Sequence, residues 1–422
     1  MYRLLLAVPF LIGIAVLQGL TVEIDTFHGT DARVYQLPTI MQLSESFDFS
    51  DYPSAQTPLF HVVMAGWGEL VGFELWKLRL LNVAISYGAA LVLFSLLLRA
   101  TPLGKWAAFA LTLAFALSPY VFGASFTLLT DNLAILFALL ALERIHAYSR
   151  SGSLGAFAPA CLAICAAVLT RQSFLWLAAV AAFFLLREAF RGGALRRLVA
   201  GAALLALALV PLALLAIEWN GLVPPSADPL SCGLCTDRPD VVGSDAFTLR
   251  TVGFTVALLG MYAALVNGPS VLARLRGLRP PVALLGLAVA AGVALLLASP
   301  LEYMPIRAGS PGDAGYLWRV SEPFPVVLDS SLLFWGLVPL GVVAAALLVR
   351  RAGAAALPSV YLGAFLLAAL PVNLVYQKYF DPFMLLAVAL FARPEDLRTR
   401  WDYAGIALIC VASVAYALSF AG

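Results

Sequence analysis

The sequence predicts an all-α protein that crosses a membrane many times. Three observations lead to this prediction. Hydrophobic residues make up 62% of the 422 residues and charged residues only 12%, whereas soluble domains carry about 25% charged residues. Apolar runs long enough to cross a bilayer recur along the whole chain. Basic residues gather in alternate loops. The net charge of +2 is uninformative here, because what matters is where the charges lie relative to the bilayer, and nucleic acid is not an implied partner.

A spanning helix needs about 20 mostly apolar residues. On that basis the chain is one integral membrane domain, 1–422, with about thirteen transmembrane helices. The predicted spans are 3–20, 78–98, 105–122, 131–148, 154–170, 173–187, 198–217, 247–267, 281–298, 331–349, 355–372, 379–392 and 403–421.

Two apolar runs need separate treatment. The run 3–20 is longer than a signal-peptide core of about 7–15 residues, so we expect an uncleaved first span, with cleavage as the alternative. The run 59–72 is short and contains His61 and Glu69. It is therefore predicted to lie on the membrane surface or to re-enter the membrane.

The loop charges set the predicted orientation. With the N-terminus in the cytoplasm, 17 of the 26 Lys and Arg lie on the inner side and 19 of the 24 Asp and Glu on the outer side, as the positive-inside rule requires. Counting 59–72 as a span would invert every later loop and destroy this asymmetry. The outer loops are then 21–77, 218–246 and 299–330. Short loops and compact length indicate a bacterial inner-membrane protein whose polar clusters face the periplasm.

The first outer loop contains a cluster of ionisable groups, Glu23, Asp25, His28 and Asp31. Apolar residues from 24 to 41 recur at helical spacing, which predicts an amphipathic helix along the membrane surface, broken at Pro53 and followed by a helix that starts at Pro58. A carboxylate at the water-lipid boundary can serve as a general base. The alternative is a helix cap or a solvated charge.

Two further polar positions lie where spans are predicted to reach the outer face. Asp131 begins one span and could bind a ligand or cap a helix. Arg171 and Gln172 form a turn between two apolar runs. The guanidinium of Arg171 suits a phosphate, although it could also reach lipid headgroups.

The later outer segments add cations and aromatic rings. Trp219 and Asn220 open one loop, Arg307 lies in the next loop together with Tyr316 and Arg319, and Lys378 lies between two tyrosines. They bring three cations and several aromatic side chains to one predicted membrane face. Cations would neutralise a lipid phosphate, and aromatic faces would stack on a sugar ring carried by it.

Cysteine, histidine and nucleotide motifs point to no cofactor. Cys232 and Cys235 form a C-x-x-C in an outer loop, where a local disulfide is the favoured interpretation and a redox or metal role the alternative. Walker A, Rossmann, H-E-x-x-H and G-x-S-x-G patterns do not occur. The three histidines are too scattered for a His-based metal site.

The order of these motifs resembles the membrane-embedded GT-C glycosyltransferases, and most closely the dolichyl-phosphate-glucose alpha-1,2-glucosyltransferases. The GT-C pattern of a first-loop acid, a Thr-Pro helix start and a second-loop Asp matches Asp25, "QTPLF" (56–60) and Asp131. The pieces similar to the glucosyltransferases are "DTFH" (25–28), "VYQLP" (34–38), "LLTDN" (128–132), "LTRQSFLW" (169–176), "EWNG" (218–221), "SPLEYMPIR" (299–307) and "YLWRV" (316–320). They recur in family order between about residues 20 and 385.

The resemblance implies a GT-C fold and an inverting transfer of a hexose, glucose in the family, from a polyprenyl-phosphate-sugar to a lipid-linked glycan or another hydroxyl acceptor. Asp25 would be the base. Glu23 stays an alternative, because the family has two adjacent acids where this chain has Asp25 and Thr26. The implied phosphate ligands are Arg171, Arg307, Arg319 and Lys378. The implied sugar or acceptor ligands are His28, Asp131, Gln172, Trp219, Asn220 and Tyr316.

No soluble cofactor is expected, although a divalent metal between Asp25 and Asp131 is an alternative that we do not favour. Two other functions stay open. One is a transporter or flippase of lipid-linked sugars, which Asn82, Asn267 and the prolines inside spans modestly support. It would also need an internal repeat, which we do not find. The other is a metal-dependent transferase that modifies a lipid.

Overall fold

The computed structural model describes residues 1–16, 32–192, 195–225, 248–275, 282–302, 315–372 and 375–418. These residues are almost entirely helical, which confirms the all-α class. The α-helices are α1 Tyr2–Leu5, α2 Val8–Val16, α3 Leu37–Glu45, α4 Leu59–Val71, α5 Leu75–Ala100, α6 Lys105–Leu117, α7 Pro119–Ser125, α8 Asp131–Ser151, α9 Leu154–Thr170, α10 Trp176–Gly192, α11 Leu195–Glu218, α12 Leu249–Leu275, α13 Val282–Ala298, α14 Tyr316–Ser321, α15 Leu332–Ala352, α16 Leu357–Ala369, α17 Asp381–Phe391 and α18 Ala404–Leu418.

Short non-α elements complete the described chain. A π-helix at Ala32–Gln36 leads into α3, and the 3-10 turns are Gln172–Leu175, Gln377–Tyr379 and Pro394–Asp396. Two strands, β1 Val326–Val327 and β2 Ser330–Ser331, pair antiparallel.

Each of the thirteen predicted spans contains a described helix, but the helices differ in their ability to cross a membrane. Five described helices, α5, α10 with its 3-10 turn, α11, α12 and α15, are long and apolar enough. The number becomes six if α6 and α7 count as one broken span. Others, such as α9 and α13 with 17 residues each, fall short of about 20 residues. The count of thirteen crossings therefore stays a prediction.

Two local features differ in detail from the sequence predictions. The predicted span 105–122 consists of two helices, α6 and α7, with a bend of 66° between them, because Pro119 lacks the amide hydrogen that would continue the helix. The surface helix ends at Glu45 rather than at Pro53. Ser46 is extended, and Asp48 accepts hydrogen bonds from the backbone and hydroxyl of Ser50, which favours a turn over a helix.

The chain divides into two compact units. The first unit comprises Met1–Ala100, Ala116–Ser231 and Ser413–Gly422, and the second comprises Thr101–Phe115 and Cys232–Ala412.

In the first unit, α8 and α9 form a helical hairpin. Gly152 makes the turn with a left-handed φ of +63°, which glycine adopts without strain. Buried amides fix the start of α8. Asn132 Nδ2 donates to Ser86 Oγ at 2.7 Å and to the Val121 carbonyl at 2.9 Å. Asn82 Nδ2 donates to the carbonyls of Ala124 and Thr127 at 2.6 and 2.5 Å. The two bonds from Asn82 satisfy carbonyls at and just after the end of α7, where the helix supplies no partner.

In the second unit, α12 and α15 cross where glycines let their backbones approach. A methyl group on Gly341 would collide with the Val256 carbonyl, and one on Gly260 would lie 2.5 Å from the Leu337 carbonyl oxygen. Small residues permit this close packing of helices in a membrane.

We expect Gly341→Ala to destabilise the second unit by about 1–3 kcal/mol, because the added methyl group overpacks the crossing. Gly336→Ala is the matched control on the same helix, since nothing lies within 4 Å of a methyl group there. Thermal unfolding in detergent measures both variants. Equal melting temperatures for the two would contradict the crossing.

Candidate functional site

A buried ion pair joins two of the residues that the sequence singles out. Arg171 Nη1 lies 2.6 Å from Asp131 Oδ1 and 3.3 Å from Thr130 Oγ1. The side chains of Arg171 and Asp131 are only 8% and 17% exposed. Asp131 is the first residue of α8, and Arg171 directly follows α9, so the pair holds neighbouring ends of the two helices together. Asp131 therefore does more than begin a helix.

The loop that precedes α4 lies beside this pair. Thr57 Oγ1 donates to the Val168 carbonyl at 2.7 Å, one turn before Arg171. Gln172 Nε2 donates to the carbonyls of Ala55 at 2.8 Å and Leu222 at 3.2 Å. The amide of Gln172 thus joins two segments that are far apart in the sequence. Among the described residues, nothing donates to its buried Oε1, and a buried acceptor of this kind needs a partner.

Trp219 and Asn220 lie at the end of α11. The Trp219 ring is 2% exposed and stacks on Tyr52 with the ring planes 3° apart. Its Nε1 donates to the Phe49 carbonyl at 2.9 Å. Asn220 has a φ of +50°, a left-handed conformation that asparagine tolerates at helix ends. Trp219 therefore fixes the first loop, and Asn220 ends the helix.

A buried histidine network underlies the same loop. His61 Nε2 donates to Gln36 Oε1 at 2.6 Å, since that oxygen only accepts. The other ring nitrogen, Nδ1, then accepts from the Tyr52 hydroxyl at 2.5 Å. Burial lowers the pKa of His61 to about 3 and raises that of Tyr52. The imidazole is therefore neutral and holds the π-helix, the loop and α4 together.

The second unit has its own buried carboxylate, Asp381. Its Oδ2 accepts hydrogen bonds from Tyr316 at 2.7 Å, Tyr262 at 2.8 Å and Gln377 at 2.9 Å. Asp381 is 0% exposed, and within the described chain no donor reaches its Oδ1. The hydroxyl of Tyr316, a predicted sugar ligand, is thus bonded to Asp381.

Two of the predicted phosphate ligands, Lys378 and Arg319, lie near the surface of the second unit. Lys378 Nζ lies 5.6 Å and 5.3 Å from the ring centroids of Tyr376 and Tyr379, within cation–π range. Arg319 is exposed on α14, whose neighbouring Trp318 is buried against Phe254.

Sequence reasoning missed the roles of His61 and Asp381. A signal existed in both cases, because each is an ionisable residue in an otherwise apolar run. Their partners lie up to 119 residues away, so the sequence offered no means of pairing them.

Several predicted residues lie outside the described residues, and their roles stay predictions. They are Glu23, Asp25, His28, Arg307, Cys232 and Cys235. The described part of the chain contains no cluster of three or more His, Cys, Asp or Glu suited to a metal ion. The alternative metal site with Asp25 is not decided by this finding.

Comparisons with protein-family models, with curated proteins and with solved structures return no match. The motif resemblance is therefore the sole link between this chain and a family.

We expect Asp131→Ala and Arg171→Ala each to lower the free energy of unfolding by about 3–5 kcal/mol, since each leaves a buried charge without its partner. Combining both changes restores part of the loss. The matched control is Glu74→Ala, which breaks a pair with Lys77 in which the two side chains are 56% and 25% exposed. We expect that change to have a much smaller effect, because exposed ion pairs contribute little to stability. A strictly additive double variant would contradict the coupling.

We also expect stability to fall on acidification because of His61. Its pKa is near 3 in the folded state and about 6.5 in the unfolded state, so the unfolded chain binds the extra proton between these values. Stability is therefore lost as the pH drops below about 6.5, by about 2 kcal/mol at pH 5. Unfolding measured at pH 7 and pH 5 should show this slope in the wild type and in Tyr52→Phe, but not in His61→Gln. A slope retained in His61→Gln would refute this assignment.

Proposed function

We propose that the protein is an inverting glycosyltransferase that moves a hexose from a polyprenyl-phosphate-sugar to a hydroxyl acceptor at the outer face of a bacterial inner membrane. Glucose is the first sugar to test, because the motifs resemble those of glucosyltransferases. The acceptor is a lipid-linked glycan or another hydroxyl compound.

One observation carries the proposal. Four motifs that lie far apart in the sequence meet at one end of the first unit. "QTPLF" bonds to the end of α9 through Thr57, "LLTDN" to "LTRQSFLW" through Asp131 and Arg171, and "EWNG" to the first loop through Trp219. Polar groups at membrane depth are energetically costly, and spanning the membrane does not require them. Their concentration at one place therefore supports a functional site.

The chemistry needs a base and cations. Asp25, or Glu23 in its place, takes the proton of the acceptor hydroxyl. The hydroxyl oxygen then attacks the anomeric carbon while the bond between this carbon and the phosphate oxygen breaks. The configuration at the anomeric carbon is inverted, and polyprenyl phosphate leaves with both electrons of the broken bond. Cations stabilise the charge on this phosphate. The proposed ligands are Arg171, Arg307, Arg319 and Lys378.

The described residues suggest how these roles are divided. Arg171 shares its charge with Asp131, so in this proposal it contributes orientation and hydrogen bonds more than net charge. Gln172 Oε1 is buried without a described donor and would accept from a sugar hydroxyl. Lys378, held against Tyr376 and Tyr379, offers a cation next to aromatic faces. His28, Asn220 and Tyr316 stay proposed sugar or acceptor residues, whereas the covered ring of Trp219 would act by holding the first loop in place.

The transporter alternative loses one of its supports. A substrate path would use polar groups inside spans, and Asn82 is one of its candidates, beside Asn267. The amide nitrogen of Asn82 instead bonds the carbonyls of Ala124 and Thr127. That contact is structural.

The test is a transfer assay with purified full-length protein, polyprenyl-phosphate-glucose with a radiolabelled sugar, and a lipid extract of the source organism. We expect wild type to move label from the donor to a new product. Asp25→Asn should be at least about a hundredfold slower, because general-base catalysis contributes about 10²–10⁴-fold. Glu69→Gln, which removes an exposed acid on α4, is the control and should keep full activity.

Three other outcomes have defined meanings. Loss of activity in Glu23→Gln but not in Asp25→Asn would assign the base to Glu23. Loss in wild type after chelation would support the metal alternative. If wild type consumes no donor with or without divalent metal, yet moves lipid-linked sugar across liposomes, the transferase proposal is wrong.

A further inference from the structure

A cavity of about 540 Å³ opens in the first unit beside the site just described. It lies between the loop 48–50, the start of α4, the end of α9 and the last two turns of α11. Its walls are apolar and include Leu59, Val62, Leu169 and Leu214. The ionisable side chains that line it are both acids, Asp48 and Glu218. A volume of this size falls within the range of small-molecule sites.

Trp219 holds the two acids, Asp48 and Glu218, at the same cavity. Its indole donates to the Phe49 carbonyl at 2.9 Å, and this bond ties the residue after Glu218 to the residue after Asp48. Asp48 also accepts hydrogen bonds from the amide and hydroxyl of Ser50, which fix the loop and lower the pKa of Asp48. The carboxylate therefore stays ionised at neutral pH.

Helix α11 adds to the negative potential. Glu218 is the last residue of this 24-residue helix, and the C-terminus of a helix carries a partial negative charge. A carboxylate at that position is unfavourable unless a cation is nearby. Glu218 is exposed and can meet such a cation.

One part of the apolar wall belongs to a helix that is long and apolar enough to cross a membrane. Helix α11 passes the length and apolarity test for a span, yet only 17% of its most apolar window is buried. Leu214 and Ile217 are 61% and 76% exposed near the cavity end of the helix. Such side chains in a spanning helix contact lipid chains, so the cavity combines a wall suited to a hydrocarbon chain with an anionic rim.

We propose that this cavity binds a membrane lipid whose headgroup ends in a primary ammonium, as in phosphatidylethanolamine. The hydrocarbon chain lies against Val62, Leu169 and Leu214, and the ammonium donates hydrogen bonds to Asp48 and Glu218. This site is separate from the proposed donor site, since two carboxylates repel a phosphate-terminated lipid. The inference does not rest on the proposed transferase activity.

Native mass spectrometry of the full-length protein tests the proposal, with phosphatidylethanolamine and phosphatidylglycerol of identical chains offered in turn. We expect wild type to retain phosphatidylethanolamine over phosphatidylglycerol. Asp48→Asn with Glu218→Gln should weaken phosphatidylethanolamine binding by about tenfold, because the charge-assisted bonds are lost. Glu45→Gln with Glu69→Gln removes the same charge from exposed positions outside the cavity and should keep the preference.

A second variant tests the hydrocarbon part. Leu214→Trp should fill the wall and weaken binding of both lipids, and the exposure of Leu214 makes this change compatible with folding. The proposal is overturned if wild type retains both lipids equally, or if the Asp48/Glu218 double variant keeps its preference. It is also overturned if polyprenyl phosphate displaces phosphatidylethanolamine from wild type, because the cavity would then belong to an anionic donor.

Discussion

The ion pair between Asp131 and Arg171 is the interaction on which the polar end of the first unit depends. Two charges at this degree of burial are stable only together, so the first turn of α8 and the residue after α9 must stay adjacent. Gln172 directly follows Arg171, so the ion pair also fixes the position of Gln172. Its hydrogen bonds to the carbonyls of Ala55 and Leu222 then hold together two loops that lie far apart in the sequence.

A buried carboxylate also needs compensation in the second unit, where hydrogen bonds take the place of a cation. Asp381 is buried without a described cation at hydrogen-bond distance, and two phenols and an amide bond its Oδ2. Several hydrogen bonds on one oxygen can replace a counter-charge where water is excluded. Each unit therefore contains a carboxylate that its surroundings compensate, and Glu143 and Asp396, which pair with Arg99 and Arg351, are further examples among the described residues.

Hydropathy and charge placement predicted the helical class and the approximate position of every described long helix, because both depend on local composition. They also marked Asp131, Arg171 and Gln172, since ionisable residues at the ends of apolar runs are conspicuous. Composition did not predict the bend before Pro119 as a break in a span, nor that the Trp219 ring is covered by Tyr52. Such contacts depend on the tertiary arrangement of distant segments, which periodicity does not encode.

The amide of Asn82 bears on how membrane helices should be redesigned. Any hydropathy scale would rate a leucine at this position as an improvement, since Asn82 lies inside the apolar helix α5. The carbonyls of Ala124 and Thr127 would then lose the donor that satisfies them, at a depth where water offers little replacement. A more hydrophobic residue at this position would therefore destabilise the protein, because the carbonyls at the end of α7 depend on a hydrogen-bond donor from the neighbouring helix α5.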